Sequence, residues 1–356
     1  MRIAVAGWIG STNLGDELIF SALSRKLVAQ GADVVGISID PESTKRQHPV
    51  DAIHLAQMPL APLDGLVFGG GEVLQDETSI WNLPYHLTRV WLGRLRRLPT
   101  AVVGVGAVAL RSRGGAAMVR RSLSAALAVT VRDRPSLTTL RRLGLDPVLA
   151  ADPVLALPVE PVAPDRLVVA LRRSVPRPED RLGRLLPAGR SKGADPGADW
   201  VPAMAAALDR TAAATGLVPR FVAMQRGRDD LLHEQVAATM STPSEQTAPD
   251  LAGVMGEIAR GVVVVAMRYH GGVAALAAGR PSVLIGYSPK VAALAAEAAP
   301  ATSLLPNDPA AFGLLAGAVE AAGGRRDRVA PVLERLRERE RANDWALEHL
   351  LENAAR

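Results

Sequence analysis

The chain has 356 residues, 48% of them hydrophobic and 22% charged, so it is long enough for two ordinary globular domains. It contains no cysteine, which excludes disulfide frameworks, thiolate nucleophiles and cysteine-based zinc sites. The net charge of +5 is explained first by solvated helix faces, next by an acidic substrate and least by nucleic acid, because the arginines are spread over helices and aromatic residues make up only 3%.

Nothing in the sequence predicts a leader or a membrane span. The first apolar run, in "MRIAVAGWIGS", is too short for the core of a signal peptide. No stretch offers the roughly 18 uninterrupted apolar residues that a spanning helix needs. We therefore expect a cytoplasmic protein.

Strand and helix patterns alternate through the first half of the chain. The strand patterns are "RIAVAG", "ADVVGISID", "LDGLVFGGG", "TAVVGVGA" and "LAVTVRD", with amphipathic helix patterns between them. Such βαβ repetition predicts an α/β domain with a mostly parallel, doubly wound sheet over residues 1–152. Four prolines then mark a linker at 153–165.

The same rhythm resumes with "RLVVALR" and continues through "LVPRFVAMQ" and "GVVVVA" to "PSVLIGY", which we take as the closing strand. Residues 166–325 are therefore predicted to form a second Rossmann-like domain, with the active cleft between the two domains. The segment 176–199 is rich in Pro, Gly and Arg, which predicts a long loop or an insertion. Residues 326–356 are predicted to form one charged helix.

A glycine-containing motif, "GWIGSTNLGDE", lies between the first strand and the first helix. Its glycines stand at 7, 10 and 15 and do not match G-x-G-x-x-G, so a nicotinamide cofactor is not expected. Two interpretations remain equally open. The helix start contacts an anionic ligand, or Asn13 and Asp16 simply cap the helix.

Two further motifs follow predicted strands. "VFGGGEVLQD" places three glycines where open α/β sheets bind ligands, and a tight turn accounts for only one of them easily. "VTVRDRPS" ends a strand with Arg132, whose guanidinium can grip a carboxylate or phosphate. The alternative, which the sequence slightly favours, is a surface arrangement of Arg132 with Asp133.

The most informative stretch is "MRYHGGVAALAAG", which follows the strand "GVVVVA" without a break. A guanidinium at Arg268 beside a helix N-terminus makes an anion site, and the imidazole of His270 can move protons near neutral pH. A lone histidine is more often structural, but the other five lack comparable neighbours. No phosphate loop, G-x-S-x-G elbow, H-E-x-x-H helix or carboxylate pair is present, so no metal is expected.

Taken in chain order, "GSTNLGDELI", "VFGGGEVLQD", "TVRDRPS", "AADPVL" and "RYHGGVAALAAGRPSVLIGYSPKV" resemble the motifs of the polysaccharide pyruvyl transferase family. The resemblance implies two Rossmann-like domains facing across a cleft, as in GT-B glycosyltransferases. It also implies transfer of a pyruvyl group from phosphoenolpyruvate, as co-substrate, to two hydroxyls of a sugar, giving a cyclic ketal and phosphate without a further cofactor.

The resemblance also implies roles for individual residues. It places the catalytic pair at Arg268 and His270, with the C-terminal domain as the donor side and the N-terminal domain as the acceptor side. The expected substrate-binding residues are Asn13, Gly15, Asp16, Gly70, Gly71, Arg132, Gly271, Tyr287 and Lys290.

The implied acceptor is a sugar of a cell-envelope or extracellular polysaccharide, or its lipid-linked precursor, reached at the inner face of a membrane by peripheral association. Where the family often has a G-x-G-x-G-P run, "GVGAVAL" lacks the later glycine and proline, which leaves the acceptor open. Two alternatives remain: a GT-B glycosyltransferase that uses a nucleotide sugar, and a catalytically inactive member that acts as a binding protein.

Overall fold

The computed structural model describes residues 1–76, 81–108, 110–172 and 199–356. The predicted insertion at 176–199 therefore lies, except for Asp199, outside the described residues. Within the described ranges, no helix combines the length and apolar character that crossing a bilayer requires.

The N-terminal lobe is built on one parallel sheet with helices on both faces. Its elements are β1 (Arg2–Ile9), α1 (Leu14–Ala29), β2 (Asp33–Ser38), α2 (Pro41–Gln47), β3 (Asp51–His54), β4 (Gly65–Gly69), α3 (Asn82–Leu95), β5 (Thr100–Val105), α4 (Arg113–Leu123), β6 (Ala128–Val131), α5 (Arg134–Arg142) and β7 (Val148–Leu149). The strand order is β3-β2-β1-β4-β5-β6-β7. The order reverses beside β1, so the crevice between β1 and β4 is where such a sheet binds ligands.

The C-terminal lobe repeats this plan. Its elements are β8 (Arg166–Ala170), α6 (Trp200–Thr215), β9 (Val218–Val222), α7 (Asp229–Thr239), β10 (Glu245–Thr247), α8 (Leu251–Ala259), β11 (Gly261–Ala266), α9 (Tyr269–Ala277), β12 (Ser282–Gly286), α10 (Pro289–Glu297), β13 (Thr302–Pro306), α11 (Leu315–Gly323), α12 (Val329–Glu340) and α13 (Ala342–Ala354). The strand order is β10-β9-β8-β11-β12-β13, with its reversal beside β8.

The core strands have the composition that burial on both faces demands. "GVVVVA" of β11 lies between β8 and β12 in parallel register, with Val264, Val265 and Ala266 fully buried. β-branched side chains suit such a doubly covered strand. The prediction of two mostly parallel, Rossmann-like sheets is confirmed.

Two expectations about the C-terminal part were wrong. "PSVLIGY" is not the closing strand, since β13 pairs in parallel beyond it as the edge strand. Residues 326–356 form two α-helices rather than one, with the break at Arg341. The break lets α13 dock on the N-terminal lobe, where the Asn343 side chain bonds Thr130 Oγ1 at 2.6 Å and Ala151 O at 3.0 Å.

The two lobes also share a core. One hydrophobic cluster includes Leu18 and Leu23 of α1 together with Val273 and Leu276 of α9, so the two helices belong to a continuous apolar contact. The backbone of the lobes meets as well, where Leu14 N donates to Met224 O at 2.9 Å. These contacts fix the carboxyl ends of the two sheets opposite each other.

Candidate functional site

A cavity of about 230 Å³ opens between the lobes, at the carboxyl ends of both sheets. The N-terminal lobe contributes Trp8, Asn13, Asp16, Glu72, His86 and Arg132, among others. The C-terminal lobe contributes Arg172, Arg268, Tyr269, His270, Tyr287 and Lys290. The cavity therefore lies at both topological switch points, where this fold class binds its ligands.

Arg268 stands between β11 and α9 and lines the cavity. Its Nε and Nη2 donate to the two carboxylate oxygens of Asp229 at 2.5 and 2.6 Å, and Nη2 also donates to Gln225 Oε1 at 2.9 Å. This two-point pair holds the guanidinium rigidly. Its Nη1 makes no hydrogen bond to any described residue, which leaves one donor for a ligand.

Arg132 follows β6 and is buried, so the surface arrangement that the sequence slightly favoured is wrong. Its Nη2 donates to Glu72, Nη1 lies 3.6 Å from Asp152 Oδ2, and the guanidinium stacks 4.0 Å from the centre of the Tyr269 ring. Burial by itself would lower the pKa of Arg132, but Tyr269 and the surrounding carboxylates outweigh it and raise the pKa. The guanidinium joins the two lobes, and its charge is already compensated.

His270 lies in the first turn of α9, against the N-terminus of α1 in the other lobe. A methyl group added at Gly15 would come 2.1 Å from its Nδ1, so only glycine at that position leaves room for the ring. Its Nε2 faces Asp152 Oδ2 at 3.6 Å, slightly beyond hydrogen-bond length. Burial would raise the pKa of Asp152, but His270 and Arg132 together lower it, so Asp152 is an anionic partner that orients the imidazole.

Asp16, in the first turn of α1, is the carboxyl group beside His270. Burial raises its pKa, although His270 and Lys290 both act against the rise. Its Oδ2 accepts a hydrogen bond from Asn13 Nδ2 at 2.5 Å. Asn13 also accepts from Gly15 N at 3.4 Å and so caps α1 while lining the cavity.

Tyr287 follows β12 directly, and Lys290 is the second residue of α10. Arg172 Nη1 donates to the Tyr287 hydroxyl at 2.6 Å, and the guanidinium stacks over the ring at 4.5 Å. Burial would raise the pKa of Tyr287, but the charges of Lys290, Arg172 and Arg268 lower it to about 8. Lys290 forms no ion pair with any of the described residues, so its ammonium is a cation available to a ligand.

Aromatic side chains of the N-terminal lobe form another part of the wall. Trp8 packs against Tyr85 and His86 with ring centres 5.6 and 5.7 Å apart. The indole of Trp8 is 37% exposed, whereas His86 is 4% exposed. Burial, with a contribution from Arg89, lowers the pKa of His86 to about 3, so its imidazole is neutral at ordinary pH.

The predicted glycines have packing roles. Gly70 and Gly71 have φ of +72° and +76°, which favours glycine, and they lie against Ile19 and Asp16 of α1. Gly271 packs on the sheet, with the Ala266 and Ala170 side chains 3.2 and 3.4 Å from where its own β-carbon would be. None of these three glycines lines the cavity.

The structure thus brings together Asn13, Gly15, Asp16, Arg132, Arg268, His270, Tyr287 and Lys290. Sequence reasoning missed Arg172, which follows β8 as Arg268 follows β11 and could have been found by the same signal. It also missed Trp8 and His86, for which the sequence carries no comparable signal.

Two parallel Rossmann-like sheets facing across a ligand-sized cleft define a GT-B-type architecture. A family model described as "Polysaccharide pyruvyl transferase" matches residues 13–289. The chain therefore belongs to the polysaccharide pyruvyl transferase family. No curated protein sequence matches the chain significantly.

Solved structures of GT-B fold share this architecture at low identity. The S. aureus MnaA–UDP complex is similar with a TM-score of 0.60 and 10% identity, covering 98% of this chain and 94% of the other. The UDP-GlcNAc 2-epimerase from Neisseria meningitidis has a TM-score of 0.59 and 9% identity, covering 99% and 100%. The spinosyn rhamnosyltransferase SpnG has a TM-score of 0.58 and 14% identity, covering 96% of both chains. These likenesses concern the fold alone.

Proposed function

We propose that the protein transfers a pyruvyl group from phosphoenolpyruvate to two hydroxyls of a sugar in a cell-envelope or extracellular polysaccharide, or in its lipid-linked precursor. The observation that carries the proposal is the position of His270. Its imidazole faces Asp152, lies against Gly15 and shares one cavity with the unpaired ammonium of Lys290. Membership of the pyruvyl transferase family supports the same reaction.

The donor is assigned to the C-terminal lobe because that wall is cationic. Phosphoenolpyruvate carries a phosphate and a carboxylate on the same carbon atom, C2. Lys290, Arg172 and Arg268 line the cavity there, and the Nη1 of Arg268 makes no hydrogen bond to any described residue. Ammonium and guanidinium groups bind such anions by charge-assisted hydrogen bonds.

The reaction requires protonation of one carbon atom of phosphoenolpyruvate and the attack of two sugar hydroxyls, one after the other. Protonation of C3 of the enol ester makes C2 electrophilic, and the first hydroxyl adds to it. The C2–O bond to phosphate then breaks, the leaving phosphate takes the electron pair, and the second hydroxyl attacks C2 to close the ketal. Of the two hydroxyl protons released, one makes up for the proton added to C3 and the other leaves on the phosphate, so the reaction balances with no change of oxidation state and needs no redox cofactor.

His270 is assigned as the group that moves these protons, with the carboxylate of Asp152 facing its Nε2. Asp16 lies beside His270 with a raised pKa, which suits a carboxyl group that exchanges a proton with the acceptor hydroxyls. Arg268 and Lys290 stabilise the charge that builds up on the departing phosphate.

The acceptor is assigned to the N-terminal lobe. The exposed indole of Trp8 offers an apolar face for a sugar ring, and the neutral His86 and the Asn82 amide supply hydrogen-bonding groups nearby. We place the reaction in the cytoplasm, where phosphoenolpyruvate is made.

A nucleotide-sugar glycosyltransferase is the nearest rival, since the structures of similar fold include complexes with UDP, UDP-GlcNAc and thymidine diphosphate. Thermal denaturation separates the two: we expect phosphoenolpyruvate to raise the melting temperature and uridine or guanosine diphosphate to leave it unchanged. The reverse result would favour the rival. A catalytically inactive binding protein is the other alternative, but Arg268 and His270 face the cleft rather than core atoms alone.

The proposal is tested by phosphate release from phosphoenolpyruvate in the presence of glycan acceptors, with the ketal detected by mass spectrometry. We expect His270→Ala to reduce the rate about 10²–10⁴-fold, the usual contribution of a general acid–base group. His349→Ala, on α13 outside the cavity, is the matched control and should retain full activity. A His270→Ala variant of normal activity would remove the mechanism, and an unchanged rate in EDTA would support metal independence.

A further inference from the structure

The charge distribution of the N-terminal lobe is uneven. Between Trp81 and Arg132 the sequence contains nine arginines and no aspartate, glutamate or lysine. This segment forms α3, β5, α4 and β6. Three of the nine have roles inside the lobe: Arg132 lines the cavity, Arg89 is buried and donates to Tyr85 O, and Arg96 donates to Met58 O. The exposed ones among the remainder require a separate explanation.

Four of these arginines are exposed on α3 and α4, which pack side by side, and Arg97 is exposed just beyond the end of α3. Trp91 Nε1 donates to Ser122 Oγ at 2.7 Å, and Arg94 Nη1 lies 3.5 Å from Arg121 O. Trp91, Arg94 and Leu95 are spaced i, i+3 and i+4 and therefore share one side of α3. We name the α3–α4 face as the exposed residues Trp91, Arg94, Leu95, Arg97, Arg120 and Arg121.

The arginines of this face, Arg94, Arg97, Arg120 and Arg121, form no ion pair with any described residue. Some exposed arginines elsewhere pair with carboxylates, as in Arg328–Asp327 and Arg341–Glu338, whereas others, such as Arg25 and Arg210, do not. The α3–α4 face differs in bringing four arginines without a carboxylate partner together. Clustered like charges repel each other in the isolated protein, and an anionic partner relieves that repulsion.

Apolar side chains stand among these charges. Leu95 is 78% exposed and Trp91 40% exposed. Next to them, a groove of about 290 Å³ lies at the ends of α3 and α4, lined by Arg94, Arg97, Leu98 and Leu127. In such a groove the guanidinium groups can bind the phosphate of a lipid headgroup, and the aliphatic side chains can contact the acyl chains below it.

We propose that the α3–α4 face docks on the surface of an anionic lipid bilayer. The arginines bind lipid phosphates, and Leu95 and Trp91 enter the interfacial region, where tryptophan and aliphatic side chains are favourable. A nucleic acid would use the same charges but has no use for an aliphatic side chain as exposed as Leu95. The lipid surface therefore accounts for both properties of the face.

The position of α3 connects this surface with the cavity. Asn82 and His86, near the start of the helix, line the cavity, whereas Arg94 lies eight residues further along. At 1.5 Å per residue the separation along the helix axis is about 12 Å. A bilayer at the α3–α4 face would therefore lie within reach of a lipid-linked chain whose sugar occupies the cavity.

Vesicle flotation of the full chain tests the proposal. We expect binding to phosphatidylcholine vesicles that contain about one-third phosphatidylglycerol and at least tenfold weaker binding to pure phosphatidylcholine. Raising NaCl to about 0.5 M should release most of the protein, since surface charges are then screened. Arg94→Glu/Arg121→Glu should lower binding at least tenfold, and Leu95→Ser should lower it several-fold at unchanged charge.

The matched control is Arg25→Glu/Arg210→Glu, at exposed arginines of α1 and α6. Both double variants lower the net charge from +5 to +1. Binding that falls equally in the two variants would overturn the proposal, because net charge and not this face would then govern it. The proposal would also be overturned if the protein bound a single-stranded RNA oligomer but not anionic vesicles. A third contrary result would be a protein that does not bind vesicles but forms a dimer, with that dimer lost in Arg94→Glu/Arg121→Glu and kept in the control variant.

Discussion

The two lobes share one strand order but present different chemistry at the ends of their strands. In the C-terminal lobe Arg172 follows β8, Arg268 follows β11, and Lys290 lies in the first turn of the helix after β12. In the N-terminal lobe β1 ends near the indole of Trp8, and β4 leads through three glycines to the carboxylate of Glu72.

Under the proposed function, this difference assigns one substrate to each wall. A cationic wall binds a small dianion, whereas a wall of aromatic rings, amides and carboxylates binds a sugar and accepts its hydroxyl protons. His270 belongs to the cationic wall of the C-terminal lobe, but its ring packs against Gly15 of the N-terminal lobe. The proton-transferring group therefore lies where the two substrates would meet.

Gly15→Ala tests this meeting point and has the largest expected effect. Its new methyl group would lie 2.1 Å from His270 Nδ1, so the imidazole must move. A misplacement of about 1 Å costs roughly 100-fold in rate, and we expect a loss of that size in phosphate release. Phosphoenolpyruvate binding, measured by calorimetry, should change less than threefold.

Gly317→Ala is the matched control. Gly317 lies in α11 with no atom near the position of an added methyl group, so the substitution should stabilise the helix by about 0.5–1 kcal/mol and leave the rate unchanged. If Gly15→Ala retained the normal rate, the packing of His270 against α1 would have no part in catalysis.

Substitutions on the two walls should affect different substrates. Lys290→Ala removes the unpaired ammonium and should raise the KM for phosphoenolpyruvate about 10–30-fold, with the acceptor KM unchanged. Trp8→Ala should raise the acceptor KM up to about tenfold and leave the donor KM unchanged. Steady-state kinetics with each substrate varied in turn gives both values. Effects on the opposite substrates would reverse the assignment of the lobes.

Donor binding should weaken in alkali because Tyr287 has a pKa of about 8. Above that pH a phenolate stands between Arg172 and Lys290 and repels the incoming anion. The KM for phosphoenolpyruvate should therefore rise by up to about tenfold per pH unit above 8. In Tyr287→Phe the rise should disappear, and a profile identical to that of the unmodified protein would assign the titration to another group.

Much of the fold could be predicted from the sequence, because buried parallel strands such as β11 are uniform apolar runs. Short edge strands were harder to find. β3, "DAIH", has four residues, and β13, "TSLLP", was missed because one side of it is uncovered and its pattern is weak.

The candidate site was predictable only where a residue directly follows a strand. Arg268 and His270 satisfy that condition, and so did the overlooked Arg172. The partners of these groups could not be predicted, since Asp229 lies 39 residues from Arg268 along the chain, and the contact of His270 with Gly15 depends on how the lobes are docked. The burial of Arg132 depends on carboxylates from three separate loops.

The neutral imidazole of His86 in the N-terminal wall predicts a dependence of stability on pH, the smallest of these effects. The pKa of His86 is about 3 in the fold and about 6.5 in the unfolded chain, so the unfolded state binds the additional proton between those values. Its contribution to stability is complete above pH 6.5 and is lost as the pH falls towards 3, at about 1.4 kcal/mol per pH unit. His86→Phe keeps a ring against Trp8 and should reduce the slope of unfolding free energy against pH by that amount in urea denaturation between about pH 4 and 6. An unchanged slope would mean that His86 is protonated in the folded protein, and the wall assigned to the sugar would then carry a positive charge like the wall opposite.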